Sequence, residues 1–245
     1  MKARSWLAAT VMGALLSPAA LRAEGLEGRF SIAFQGGTQS ELAGDLLKGA
    51  TGTFADKPVT FETKRYRDVY APDLRLQGLL GYGISTRAEV IARGSYYKAE
   101  GTALEVGTFN GKQMFAFFDP NGTYEEAGVE AGLRFYIAAT GRLKSYVGAV
   151  GGARFLSETL VSLSIPDAGT FIENVPFNAK STVPVFGLDL GFNVDLGQNF
   201  FVGVETGVRY QGAPSPLEGL PGFPQINDSD SRWSAPVVAS IGLRF

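Results

Sequence analysis

The 245-residue chain has no cysteine and no histidine, and each absence narrows the chemistry it can perform. Without cysteine there is no disulfide frame, no thiolate nucleophile and no thiolate ligand for zinc. Without histidine the chain lacks the commonest general base and the commonest metal ligand. A histidine-dependent hydrolase triad is excluded, and we expect no metal, no cofactor and no enzymatic activity.

A strong excess of one charge and long hydrophobic runs are also missing. The chain has 22 basic and 24 acidic residues and a net charge of −2, without a basic run, so we do not expect nucleic acid as a partner. Beyond residue 23, no apolar stretch approaches the roughly 20 residues that a membrane-spanning helix needs. If the chain crosses a membrane, it must do so with strands.

The first 23 residues have the order of a secretory signal peptide. Two basic residues near the start precede an apolar core over residues 6–16, and small residues follow as far as Ala23. The apolar core is too short to span a bilayer as a helix. Cleavage after Ala19 or after Ala23 fits the pattern, and we favour Ala23, which leaves residues 24–245 as the mature chain.

Apolar residues recur at every second position through much of the mature chain, which indicates strands with one apolar face. In residues 186–196, for example, Phe, Leu and Val alternate with Gly, Asp and Asn. Two segments, 89–98 and 143–155, show the pattern more weakly. The alternation predicts eight strands, near residues 29–35, 74–84, 89–98, 127–137, 143–155, 186–196, 200–210 and 233–245.

The connections between the predicted strands alternate in length. Three are tight turns and four are long, the long ones covering roughly residues 36–72, 99–125, 156–182 and 211–231. An up-and-down barrel in a membrane shows this rhythm, with short periplasmic turns and long external loops. We therefore predict one all-β domain over residues 24–245, an eight-stranded antiparallel up-and-down transmembrane β-barrel with four long extracellular loops.

The two faces of the predicted strands differ in composition. One face is almost uncharged, whereas the other consists largely of glycine with isolated charges. A water-facing surface would carry many charges of both signs, so we predict that the uncharged face meets lipid and the glycine-rich face lines the lumen. The predicted lumen charges are Arg75, Arg93, Arg134, Lys144, Arg154 and Arg209, with Glu89, Glu130, Asp189, Asp195 and Glu205.

The last predicted strand alternates as far as the terminal aromatic residue. Together with the eight-strand pattern, this ending resembles the barrel domain of the OmpA-like family of small outer-membrane β-barrels of Gram-negative bacteria. The resemblance implies a location in the outer membrane, contact with its lipid and recognition by the barrel-assembly machinery through the C-terminal strand. The residues that match the family's insertion signal are Val237, Ala239, Ile241, Leu243 and Phe245.

The sequence admits three interpretations of the barrel and its lumen. An eight-stranded barrel is just wide enough for its side chains to fill, and an unpaired charge inside would cost several kcal/mol, so we expect ion pairs that plug it. The function would then lie with the loops, in a structural, interaction or adhesin-like role with an extracellular partner. The alternative is a narrow porin-like channel for small solutes, because lumenal glycines leave room for water. A soluble binding barrel is a third interpretation.

The first two long loops carry local signals of their own. Ser40 and Gly49 are suited to cap the two ends of a short helix in the first loop. In the second loop, residues 119–122 read Asp-Pro-Asn-Gly, a strong turn signal. It predicts a hairpin that joins residues 114–118 to residues 123–124.

Two further features of the loops concern chemistry and binding. The adjacent carboxylates Glu125 and Glu126 could be argued as an acid pair, but we expect them on a solvated surface. The fourth loop is rich in proline, so we expect it to be irregular and exposed. Its apolar residues Leu217, Leu220 and Phe223 are available either to bind a partner or to fold back onto the loop.

Overall fold

The computed structural model describes residues 25–119, 123–137, 141–217, 223 and 225–245. The predicted signal peptide lies outside these residues. Strands dominate the described chain, which has one short helix, α1 (Tyr66–Val69), and one 3₁₀ turn (Pro166–Ala168). Within those ranges no helix has the length and apolar character needed to cross a membrane.

Eight antiparallel strands close into a barrel, which confirms the predicted fold. Each strand pairs with its neighbours along the chain, and the last pairs with the first to complete the ring. The weakly patterned segments 89–98 and 143–155 are both barrel strands. Numbered among all sixteen strands in chain order, the barrel strands are β1 (Phe30–Ala43), β6 (Asp73–Gly83), β7 (Ala88–Ala99), β10 (Tyr124–Tyr136), β11 (Leu143–Leu156), β14 (Ser181–Asp195), β15 (Phe200–Gln211) and β16 (Arg232–Arg244).

The alternation of residue types corresponds to an alternation between the outside and the inside of the barrel. Large apolar side chains cover the outer wall, and Leu188 and Leu190 are 62% and 58% exposed. A continuous apolar wall is suited to contact with lipid. Closure of the ring also gives the backbone N–H and C=O groups at the strand edges hydrogen-bond partners, which lipid cannot supply. The outer wall includes the C-terminal residues Val237, Ala239, Ile241, Leu243 and Phe245.

Between the barrel strands, the long connections form a second β-structure that the sequence analysis did not predict. Six strands from three loops make one sheet in the order β13-β12-β9-β8-β4-β3, and β2 (Asp45–Leu47) pairs with β5 (Lys64–Arg65). We call residues 44–72, 100–119, 157–180 and the described part of 212–231 the loop cap. Its sheet strands are β3 (Ala50–Phe54), β4 (Lys57–Phe61), β8 (Ala103–Phe109), β9 (Lys112–Phe118), β12 (Thr159–Ile165) and β13 (Thr170–Asn178).

The loop cap has a hydrophobic core of its own. Phe118 packs edge-on against Phe177 at a ring-centre distance of 5.5 Å, and Phe223 packs against Phe61 at 5.2 Å. Burial of one such side chain is worth about 1.5–3 kcal/mol, so the core gives the loops a defined structure. Other members of this core include Leu46, Leu47, Val59, Tyr66, Val69, Tyr70, Tyr97, Val106, Met114, Tyr124, Val161, Leu163, Ile165 and Ile226.

The helix predicted between Ser40 and Gly49 is wrong. Strand β1 continues to Ala43, and the chain then bends at Gly44, whose φ of +116° suits glycine. The following residues form β2, in which two leucines enter the core of the loop cap. Burial in that core outweighs the local capping signals.

The hairpin predicted around residues 119–122 is also wrong. Strand β9 pairs with β8 and β12, whereas β10 pairs with β7 and β11 in the barrel wall. The reason is that Met114, Ala116 and Phe118 of β9 are buried in the core of the loop cap. Residues 120–122 themselves lie outside the described chain.

In the fourth loop, Phe223 folds back and is 4% exposed, so it belongs to the core of the cap. Leu217 is half-buried, and Leu220 lies outside the described residues. The loop therefore contributes at least one apolar side chain to the fold and does not present it to a partner.

The apolar outer wall predicts a depth-dependent penalty for charge. Replacing Leu190, near the middle of β14, by Arg should destabilise the barrel in lipid vesicles by about 2 to 4 kcal/mol. The matched control is Phe171→Arg, because Phe171 is 55% exposed but lies on the loop cap, where an added charge meets water. Urea unfolding in vesicles measures both changes, and equal losses of stability would contradict a lipid-facing wall.

Candidate functional site: the charged lumen and the loop cap

The inward side chains of the barrel strands make a densely charged interior. The structure places ten of the predicted lumen charges inside the ring, each at most 4% exposed. The eleventh, Asp195, lies at the turn end of the barrel with its side chain 21% exposed. The ten buried charges are Arg75, Arg93, Arg134, Lys144, Arg154, Arg209, Glu89, Glu130, Asp189 and Glu205.

Glu130 is the centre of this network. Its carboxylate accepts hydrogen bonds from Arg93 Nη1 at 3.2 Å and Arg209 Nε at 3.4 Å, and also from Arg154. Arg75 Nη2 lies 3.7 Å from Glu130 Oε1. These arginines come from β6, β7, β11 and β15, so one carboxylate on β10 connects five of the eight strands.

A second set of pairs crosses the lumen. Arg93 Nη2, on β7, donates to Glu205 Oε1 at 2.6 Å and to Asp189 Oδ2 at 3.3 Å on the opposite wall. Arg209 Nη2 lies 2.7 Å from Asp189 Oδ1, and Arg134 pairs with Glu205. Because guanidinium groups extend from one wall to the other, the middle of the lumen is filled by protein.

Large side chains occupy the space above the lumenal glycines. A Cβ atom added to Gly128 would overlap the side chain of Arg154, and one added to Gly187 would overlap Arg209. The ring of Tyr146 covers Gly191 in the same way. The channel interpretation requires these glycines to leave room for water, but in the structure they accommodate the side chains of arginine and tyrosine.

A third cluster, at the loop end of the lumen, was missed in the sequence. Arg232 pairs with Glu126, and its Nη1 lies 3.6 Å from Glu41 Oε1. Its guanidinium also lies over the rings of Tyr66 and Tyr124, at 5.0 and 5.1 Å. These contacts join the lumen network to the core of the loop cap.

The solvated position predicted for Glu126 is wrong, because this residue is 1% exposed. Glu125 is exposed, as expected. The alternation of side chains along the strand contained the missing signal. Glu126 lies two residues before Gly128 and four before Glu130, so it belongs to the lumenal face of β10. Arg232 likewise lies just outside the predicted last strand, 233–245, although it begins β16.

The turn end of the lumen has its own pairs. Lys144 Nζ lies 2.7 Å from Asp195 Oδ2, and Arg244 Nη1 donates to Asp195 Oδ1 at 3.2 Å. The guanidinium of Arg244 also lies 5.0 Å from the ring centre of Phe201, a residue buried inside the barrel. Charged pairs and aromatic rings thus occupy both ends of the lumen.

Asp119, in the second loop, ties the first and third loops together. Its Oδ2 accepts a hydrogen bond from Tyr70 Oη at 2.9 Å, and its Oδ1 accepts one from the backbone N–H of Leu160 at 3.2 Å. Burial raises the pKa of the Asp119 carboxyl, while the hydrogen bond from Tyr70 acts in the opposite direction. Burial also raises the pKa of Tyr70 well above its ordinary value, so its phenol keeps the proton that it donates.

The central carboxylates of the lumen form ion pairs with arginine side chains. Across the described ranges, no group of three or more potential ligands could hold a metal ion. Each central carboxylate, Glu130, Asp189 and Glu205, has at least two arginine partners. The arrangement is therefore suited to holding strands together.

The network predicts a large effect of one isosteric change. Glu130→Gln removes the charge that several buried arginines share, and breaking a buried pair costs about 3 to 5 kcal/mol because the partner charge is left uncompensated. The control is Glu62→Gln, which removes an exposed pair with Lys64 at 2.8 Å and should cost at most about 1 kcal/mol. Urea unfolding in vesicles compares the two, and a Glu130→Gln protein as stable as the control would contradict the role of the network.

No protein-family model matches the chain, and no curated protein matches it in sequence. Similar solved structures include Neisserial surface protein A, at 13% identity over 89% of this chain and 100% of that one, with a TM-score of 0.48. The attachment invasion locus protein Ail of Yersinia pestis is 14% identical over 90% of this chain and 100% of its own, with a TM-score of 0.40.

The outer membrane protease OmpT of Escherichia coli is 10% identical over 89% of this chain and 97% of its own, with a TM-score of 0.49. At such identities the likeness concerns the fold alone. The closed ring, its neighbour-to-neighbour pairing and its apolar outer wall are features of this chain's own structure. The eight-stranded barrel is thus established by the strand pairing of this chain itself.

Proposed function

We propose that this protein is an integral outer-membrane barrel with a closed lumen, which displays the loop cap at the cell surface for interaction with an extracellular partner. The observation that carries the proposal is that three loops form one sheet over a buried core. Ordering a residue costs about 1–2 kcal/mol of backbone entropy, so loops that only join strands gain nothing from such order. A fixed surface is what a structural or adhesin-like role requires.

The state of the lumen supports the same proposal. Arginine and glutamate side chains cross it at mid-height, and Arg232 with its tyrosine partners covers the loop end. A solute would have to break several buried ion pairs to pass. The barrel therefore serves as an anchor, and the chemistry that faces the outside belongs to the cap.

The outer face of β16 supports a route to the membrane. Val237, Ile241, Leu243 and Phe245 all point outward, with Phe245 63% exposed at the end of the barrel wall. An apolar row that ends in an aromatic residue is available for contact with the barrel-assembly machinery and afterwards with outer-membrane lipid. We assign the insertion signal to these residues together with Ala239.

The carboxylates of the lumen do not support a catalytic role. General acid–base catalysis needs a carboxyl or another titrating group that can reach a substrate. Here Glu130 is held by several arginines and is 4% exposed, so a substrate cannot approach it. We therefore propose no enzymatic activity and no cofactor for this barrel.

The alternative function is a narrow channel for small solutes, and one observation favours it. Both side-chain polar atoms of Gln77, Oε1 of Gln35 and Nε of Arg75 are buried in the lumen and form no hydrogen bond with other protein atoms. Buried polar groups normally find a partner, and water is the ordinary substitute. Water at these positions would begin a path along the wall formed by β1 and β6.

Conductance across a planar bilayer separates the anchor from the channel. Refolded protein should be silent, because the ion pairs occupy the lumen, and heat-dependent gel mobility would show that it is folded. The conductance of the variants Glu130→Ala and Arg134→Ala is recorded beside that of the unchanged protein. Steady openings of the unchanged protein that these substitutions alter would establish the channel and overturn the closed lumen.

Surface display can be tested with single cysteines, because the chain has none. A cysteine at Phe171, on the cap, should react on intact cells with a maleimide that cannot cross the outer membrane. Arg87→Cys is the matched control, since Arg87 is exposed in the short turn at the opposite end of the barrel. It should react only after the outer membrane is permeabilised, and the reverse pattern would contradict the proposed orientation.

A further inference from the structure

An apolar pocket opens in the loop cap, outside the lumen. It has a volume of about 80 Å³ and is lined by residues from both edge strands of the six-stranded sheet, Phe54 on β3 and Ile172 on β13. The sheet therefore curls until its two edges face one cavity. The floor is made of apolar side chains at most 5% exposed, among them Met114, Leu163 and Phe223.

The lining of the pocket offers few hydrogen-bond partners to a water molecule. A buried water needs about two to four polar partners, and among the lining residues that the structure describes the hydroxyl of Thr170 is the only side-chain N or O atom. The rim differs from the floor, because Phe54 is 41% exposed and Thr170 is exposed. An apolar molecule can thus reach the pocket and would displace water that is held weakly.

Size limits the ligand. One water needs about 10–15 Å³ on the same measure, so the pocket has room for about six atoms of that size, which corresponds to one aromatic ring. Sites for drug-sized ligands are about 300–1,000 Å³, and a complete acyl chain would not fit. Aromatic lining at Phe54, Phe61, Phe109 and Phe223 provides ring edges and faces for contact.

We propose that this pocket in the loop cap binds a small apolar molecule of about the size of one aromatic ring. The inference deepens the proposed function. It rests on that function only for the side of the membrane from which the ligand reaches the pocket. The binding itself depends only on the geometry of the cap.

Met114 provides a reporter within the pocket. The chain has three methionines, and Met1 and Met12 lie in the predicted signal peptide, which leaves Met114 as the methionine of the barrel and cap. Methyl-¹³C-methionine labelling of the refolded full chain in lipid nanodiscs gives a spectrum of three methyl signals, and Met114→Leu assigns one of them. Toluene is the probe.

The Met114 methyl signal should shift on toluene addition and saturate. Thr170→Trp places a large side chain at the rim and should weaken toluene binding at least tenfold. The matched control is Thr60→Trp, because Thr60 is exposed and lies between Val59 and Phe61 on β4, whose side chains face the pocket. This control should bind like the unchanged protein, with both variants shown to be folded by heat-dependent gel mobility.

Two results would overturn the proposal. One is a Met114 signal that stays fixed or shifts in proportion to toluene without saturating, which indicates partition into the lipid. The other is equal binding by the Thr170→Trp and Thr60→Trp proteins, which would place the toluene elsewhere. Neither result depends on orientation in a cell or on conductance, so a failure here is distinct from a failure of surface display or of the closed lumen.

Discussion

The rest of the structure depends on the neutralisation of charge inside a narrow ring. An eight-stranded barrel has room for side chains but not for bulk water around each charge, so every lumenal charge needs a partner. Glu130 meets this constraint by taking arginines from four other strands. Because those arginines are far apart in sequence, the pairing is complete only when the ring has closed with its correct register.

The same constraint explains the composition of the inner face. A guanidinium that crosses the lumen needs space for its stem, and glycine at Gly128 and Gly187 supplies that space for Arg154 and Arg209. The glycines and the charges on the polar face are therefore parts of one arrangement. In the function that we propose, filling the lumen in this way removes it as a passage and leaves the loop end as the surface with chemical variety.

The barrel could be predicted because its signals are local and repeated: alternation within each strand, and alternating lengths of the connections. The same alternation also predicted which charged residues face the lumen, without knowledge of their partners. The loop cap could not be predicted, because its strands pair across loops, as in Val161 opposite Phe118. Glu126 and Arg232 were missed for a related reason, since both lie where strand boundaries are least defined by pattern. At Ser40, a local helix signal lost to burial of the leucines that follow.

The lumen and the loop cap are physically linked through Arg232. Its guanidinium pairs with Glu126 inside the barrel and lies against Tyr66 and Tyr124, which belong to the core of the cap. Opening the lumen at this end would separate Arg232 from Glu126, at a cost of about 3 to 5 kcal/mol where one charge stays buried without its partner, and would also disturb the cap. Since a domain is stable by only about 5–15 kcal/mol, that cost is a large share of the stability of the folded molecule. The structure of the cap is thus tied to the ion pairs of the barrel beneath it.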